Sequence, residues 1–269
     1  MTAFLNHFAF EFKTGLRNSS LVFLNYLFPL GFYALMGVVM TQINPLFKDS
    51  MLPAMVIFTI VASALLGLPS PLVEAREAGI YRSFKINGVP AVSIIAIPTL
   101  TTMFHGLIAA TLIALTCGPL FGGATPTNWA ALVGLSVVMA FTCNALGALI
   151  GVVSKDSRMT VILAQLLFLP SMLIGGLMMP LSVLPESVRP FAGLLPTAHA
   201  MQAFEGLAYG RETLFNPTAS ALVLLASGLI AFGLAIYLFN WDSRNQSRRG
   251  HPLMGLLALA PYVVGMLIK

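Results

Sequence analysis

The chain has 269 residues, 58% of them hydrophobic and only 9% charged, with a mean hydropathy of +0.90. That apolar share, gathered in unbroken runs, excludes a soluble domain and marks an integral membrane protein. The net charge of +5 comes from basic residues dispersed among connections, so no nucleic-acid partner is expected, and Cys117 and Cys143, in or beside apolar runs, suggest neither a disulfide framework nor a metal cluster.

Within residues 1–18, Leu5, Phe8, Ala9, Phe12 and Leu16 recur at helical spacing, with His7, Glu11, Thr14 and Asn18 on the other face. This pattern predicts an amphipathic interfacial helix suited to lying among lipid headgroups. Glu11 and the missing A-x-A-like site argue against a cleaved signal peptide. Six apolar segments follow, at about 19–41, 51–73, 91–117, 129–153, 159–181 and 219–240, each long enough for the roughly 20 residues that cross a bilayer. A seventh run from Pro252 to Ile268 contains Pro261 and, as α-helix, reaches only about 26 Å. Spanning and interfacial placements are both open for it, with spanning favoured.

Orientation follows the positive-inside bias. With the N-terminus in the cytoplasm, the inner segments hold Lys13, Arg17, Arg76, Arg82, Lys85, Lys155, Arg158, Arg244, Arg248 and Arg249, and the outer ones Lys48, Arg189, Arg211 and Lys269. The fold expected is therefore an all-α, multi-pass bundle of six transmembrane helices in the cell membrane. Among the outer connections, residues 181–218 form the long one, cut by Pro185, Pro190 and Pro196 into pieces too short to span. Thr197 is a candidate N-cap for a short helix to about Ala208. His199 and Glu205 are costly in open lipid, so a re-entrant helix pair over 182–210, buried against protein, is expected.

The residues exclude several chemistries. No lysine follows a glycine, so the G-x-x-x-x-G-K-[ST] phosphate loop is absent, and no H-E-x-x-H occurs. The chain is not expected to be an enzyme or to hold a cofactor. The apolar segments contain no Asp, Glu, Lys or Arg, which disfavours an ion relay. His105 is the one titratable group near a span centre and reads mainly as an interhelical hydrogen-bonder, as do Asn144 and Gln165.

Against this background, residues 74–90 stand out: Glu74, Arg76, Glu77, Arg82 and Lys85 place five charges in twelve positions between apolar runs. None has an opposite charge three or four residues on, so no ion pair forms along the helix. Helix-dipole complementarity and topology account for acids first and bases last. An apolar stripe of Val73, Ile80 and Phe84 beside them suits docking into a groove.

At Glu74-Ala75-Arg76-Glu77-Ala78-Gly79, with Gly88-Val89-Pro90 downstream, the chain resembles ABC-2-type transporter permeases, whose second span leads into an E-R-E-x-G-like coupling segment. Residues 175–185, from Gly175-Gly176 to Leu184-Pro185, and Leu194-Leu195-Pro196-Thr197 resemble that family's G-x-x-x-P-x-x-x-L-P and L-L-P region. Ala75 and Ile80 depart from the commoner pattern. The resemblance covers about residues 1–240 and divides the chain into an interfacial helix (1–18), a transmembrane domain (19–250) and an extra apolar segment (251–269). It implies a permease subunit of an ATP-driven exporter, paired with a second permease copy as homodimer or heterodimer, surrounded by membrane lipid. Cytoplasmic ABC ATPase subunits would bind ATP and Mg and dock on Glu74, Arg76, Glu77, Gly79, Arg82 and Lys85. Pro185, Pro196, His199 and Glu205 would shape an outer gate, and the cargo would be hydrophobic or amphipathic. The alternatives are an ion-coupled secondary transporter using His105 and a non-transporting membrane assembly factor.

Overall fold

The computed structural model describes residues 2–242 and 250–267, and among them there is no strand. Arg244, Arg248, Arg249 and Lys269, counted above for orientation, lie outside the described residues. The amphipathic run forms α1 (Thr2–Arg17). It ends at Asn18, whose side chain accepts from the Ser20 and Leu21 amides at 3.0 and 3.2 Å and so starts α2 (Ser19–Ile43). The remaining long helices are α3 (Phe47–Glu77), then, after a short α4 (Ile80–Ile86), α5 (Ala91–Phe121), α6 (Trp129–Val153) and α7 (Ser157–Ile174). Beyond a connection containing α8 (Pro196–Ala203) comes α9 (Pro217–Leu238). Six of the described helices are long and apolar enough to cross a membrane.

Helix α3 is the axis: 94% of its most apolar stretch is buried, against 22% for α7. Its neighbours come close through small residues. The Cβ that Gly147 lacks would lie 2.5 Å from the Ala64 carbonyl oxygen, and that of Gly151 3.1 Å from the Pro69 carbonyl oxygen. Gly228 of α9 meets Thr142 of α6, whose hydroxyl donates to the Leu224 carbonyl at 2.9 Å. With lipid as apolar as leucine, such close packing and buried hydrogen bonds are what join membrane helices. Helices α2 and α3 each contain a π turn, Phe23–Leu27 and Ser63–Gly67, and there the Ser63 hydroxyl donates to Asn25 Oδ1 at 2.6 Å.

The structure differs from the sequence reading at several places; α3, for one, runs four residues beyond 51–73 at each end. The fifth span stops at Ile174 rather than residue 181, because α8 packs onto the turn: Thr197 Oγ1 donates to the Ser171 carbonyl at 3.1 Å. For the same reason Thr197 does not cap α8; Leu195 occupies that position, with Pro196 in the first turn. The C-terminal run is not one α-helix but a 3₁₀ stretch, Pro252–Leu259, followed by α10 (Ala260–Leu267). Eight residues at about 2.0 Å and eight at about 1.5 Å give it a length of about 28 Å. It follows α9 from Leu238, beside Gly250, to Val223, beside Gly265, and the Ser227 hydroxyl donates to the Ala258 carbonyl at 2.8 Å.

Gly147→Val should force α6 away from the Ala64 carbonyl and destabilise the bundle by about 2 kcal/mol. The drop in unfolding temperature of the detergent-solubilised chain measures this, and Gly134→Val, at a glycine with nothing within 4 Å, is the matched control.

Candidate functional site

The charged stretch folds as an elbow at one end of the bundle. The last turns of α3 carry Glu74 and Glu77 out of the core, and Gly79, at φ +75°, reverses the chain into α4. A left-handed φ disfavours any side chain with a Cβ. Helix α4 closes on a second left-handed glycine, Gly88 at φ +72°, with the Val89 amide donating to the Phe84 carbonyl at 3.0 Å and the Gly88 amide to the Lys85 carbonyl at 3.2 Å. This double bond pattern is the Schellman stop of a helix.

Arg76 is only 6% exposed and points inward. Its guanidinium donates to the carbonyls of Gly151 at 3.4 Å, Val152 at 3.1 Å and Ser154. These carbonyls end α6, where the last turn has no intrahelical donors and the helix dipole is negative. Arg76 thus fastens the elbow to α6. Further attachments come from other elements: the Ser157 hydroxyl donates to Glu77 Oε2 at 3.0 Å, and Arg82 pairs with Asp242 at 2.7 Å. Tyr81 is buried with its ring 5.4 Å from that of Phe239, and burial pushes its hydroxyl pKa up. Phe84 meets the His7 ring at 5.8 Å, which joins α1 to the elbow.

The stripe expected from Val73, Ile80 and Phe84 is therefore not one surface. Val73 is fully buried in the bundle and Phe84 is taken by α1, because the bend at Gly79 gives α3 and α4 different faces. What faces outward is Glu74, Glu77, Arg82 and Lys85, with Ile80 at 46% and Ile86 at 82% exposure. Ile86 was not singled out from the sequence, since it falls off the helical spacing of the stripe.

The outer set lies at the opposite end of α3. Pro196 and His199 are buried in α8, while Pro185 stands apart in an exposed turn. His199 Nε2–H donates to the Gly193 carbonyl at 2.9 Å, which leaves Nδ1 to accept from the Ser220 hydroxyl at 3.3 Å. Helix α8 continues into a π turn, Phe204–Ala208, that holds Glu205. Arg211, which the sequence reading passed over, pairs with Glu205 at 2.6 Å, donates to the Asp49 carbonyl at 3.0 Å and lies 4.7 Å above the Tyr209 ring. Burial raises the Glu205 carboxyl pKa and Arg211 opposes the rise. His105 sits inside, with Nδ1 2.7 Å from the Tyr26 hydroxyl and its ring stacked 4.2 Å from Phe12, so it packs α1 and α2 against α5.

Arg76→Ala should leave several buried carbonyls without donors and cost about 3 kcal/mol. Thermal unfolding reads the loss, and Arg76→Lys should recover only part of it, since one ammonium cannot reproduce the guanidinium fork.

The family model described as "ABC-2 family transporter protein" matches residues 13–237. A protein of Bacillus subtilis (strain 168) named as a transport permease, YvfS, is 26% identical over 246 residues, covering 85% of this chain and 93% of its own.

Proposed function

Because the chain belongs to the ABC-2 family of transporter proteins, we propose that it is the permease half of an ATP-driven exporter. A separate ATPase, carrying ATP and Mg, docks on the elbow, and a second permease copy, identical or related, completes the translocation path. The elbow end and the N-terminus face the cytoplasm of the cell, in line with the positive-inside bias, and the connection around α8 faces out. The chain itself binds no ATP.

The observation that carries this reading is the attachment of the exposed charges. Glu74, Glu77, Arg82 and Lys85 project from an elbow that Arg76 ties to α6, so a force applied to them moves helices rather than a loose loop. Glu74, Glu77, Arg82, Lys85 and the exposed Ile80 and Ile86 form the docking face; Arg76 positions it and Gly79 sets its angle. Helix α3 then carries the displacement to the end where Arg211 holds the Asp49 carbonyl beside Glu205. The outer gate follows from this: Pro196, His199 and Glu205 move with α8, and Pro185 hinges the exposed turn before it. Differential contact of the ATPase with two permease states is all that coupling requires.

The test is copurification and flux. The chain alone should show no ATP hydrolysis, and with its ATPase it should export cargo whether or not a proton gradient is present. Glu74→Lys combined with Lys85→Glu should leave the unfolding temperature within a degree or two while reducing ATPase association at least tenfold. Undiminished association in that variant would remove the elbow as the docking face, and flux that follows the proton gradient would point to an ion-coupled carrier instead.

A further inference from the structure

At the end of the bundle opposite the elbow, the start of α3, α8 with its π turn, residues 176–182 and residues 211–214 line an open cavity of about 460 Å³. This is within the usual range for small-molecule sites. Its lining divides by chemistry. Asp49, Glu205 and Glu212 contribute three carboxylates against the single guanidinium of Arg211, and Leu46, Met201 and Leu214 supply an apolar wall. Only Glu205 has its carboxylate engaged by that guanidinium; Arg211 meets Asp49 through the backbone carbonyl. Gln202 adds a neutral polar group to the lining. Gln202 is 8% exposed, and its Oε1 accepts from the amides of Leu214 and Phe215, which fixes the orientation of the carboxamide. Its NH₂ group is left without a hydrogen-bond partner among the described residues, in a side chain that lines the cavity.

We infer that this cavity is a binding site for an amphipathic organic cation: the apolar wall takes the hydrophobic body, Asp49 and Glu212 face the positive charge, and the Gln202 NH₂ donates to a carbonyl, ether or hydroxyl oxygen. The net charge of the lining selects for cations, because its three carboxylates outnumber its one guanidinium and Glu205 already holds that guanidinium. The site deepens the permease reading by naming a cargo class, and rests on that reading only for its part in export. Binding itself is measured without any ATPase.

The probe is rhodamine 6G, a lipophilic cation with an ester carbonyl, titrated by fluorescence anisotropy against the full chain in a neutral detergent. Saturable binding of one probe per chain is expected, with tetraphenylphosphonium competing and its anionic counterpart, tetraphenylborate, failing to compete. Asp49→Asn with Glu212→Gln changes two exposed side chains and should weaken binding at least tenfold with the unfolding temperature unchanged. Equal competition by the two tetraphenyl ions, non-saturable uptake of the probe, or full affinity in the double variant would each overturn the site. Loss of the site with ATPase association through Glu74 and Lys85 intact would leave the permease reading standing; cation-selective binding by a chain that proves to associate with no ATPase would leave the cavity assigned and the exporter reading overturned.

Discussion

The contact on which the elbow depends is that of one buried guanidinium with the end of a helix. Helix α6 finishes with carbonyls that its own amides cannot reach, and Arg76 brings a planar set of donors to three of them. A lysine would offer a point charge, and an apolar residue would leave the carbonyls bare. Because the donor belongs to α3 and the acceptors to α6, the two helices that meet through Gly147 and Gly151 are also joined beyond the apolar core. The elbow hangs from that junction. With the guanidinium turned inward, the outward face is left to side chains whose positions are set by the backbone around Gly79 and Gly88.

Helix α3 can serve as a shared axis because its surroundings are built of small side chains and short hydrogen bonds. A carbonyl 2.5 Å from a notional Cβ tolerates only glycine, so α6 cannot slide along α3 without losing contact. At the π turn of α3, Ser63 bonds Asn25 across to the π turn of α2. A π turn leaves a local gap in the regular i to i+4 ladder, and these two gaps face each other through a polar contact rather than open lipid. Motion of α3 at its elbow end therefore has defined places to bend and defined neighbours to move.

Much of the fold was legible in the amino-acid pattern, since a run of more than twenty apolar residues has few alternatives. The long-range features were not. The acceptors of Arg76 lie about 75 residues further along the chain, so its charge read as part of an exposed cluster. Splitting Val73 from Ile80 and Phe84 required the left-handed conformation of Gly79, whereas helical periodicity assumes a straight helix. The early end of α7 depends on contact between Thr197 and Ser171, and the 3₁₀ stretch 252–259 is tied to α9 by the Ser227 hydroxyl, 31 residues before its acceptor at Ala258. For the outer residues, the cost of His199 and Glu205 in lipid indicated burial; their partners Ser220 and Arg211 came only with the tertiary structure.

The C-terminal segment lies beyond residue 237, where the family match ends, yet it is integral to the bundle. Tyr262 is wholly buried with its ring 5.5 Å from His199, and Phe215 flanks the same imidazole at 5.4 Å. An imidazole with both nitrogens hydrogen-bonded and two aromatic rings packed beside it is stable in a setting where an open one would be expensive. Its Gly193 and Ser220 partners bracket α8, so the segment that encloses His199 also steadies the helix leading to Gln202 and Glu205. At the other end of the same segment, Pro252 lines a crevice with Arg76 and Asp242, next to the elbow. Two of the elements at the elbow thus also reach the outer half of the bundle: α3 through the centre to the acidic cavity, and the C-terminal segment along the side to His199 of α8.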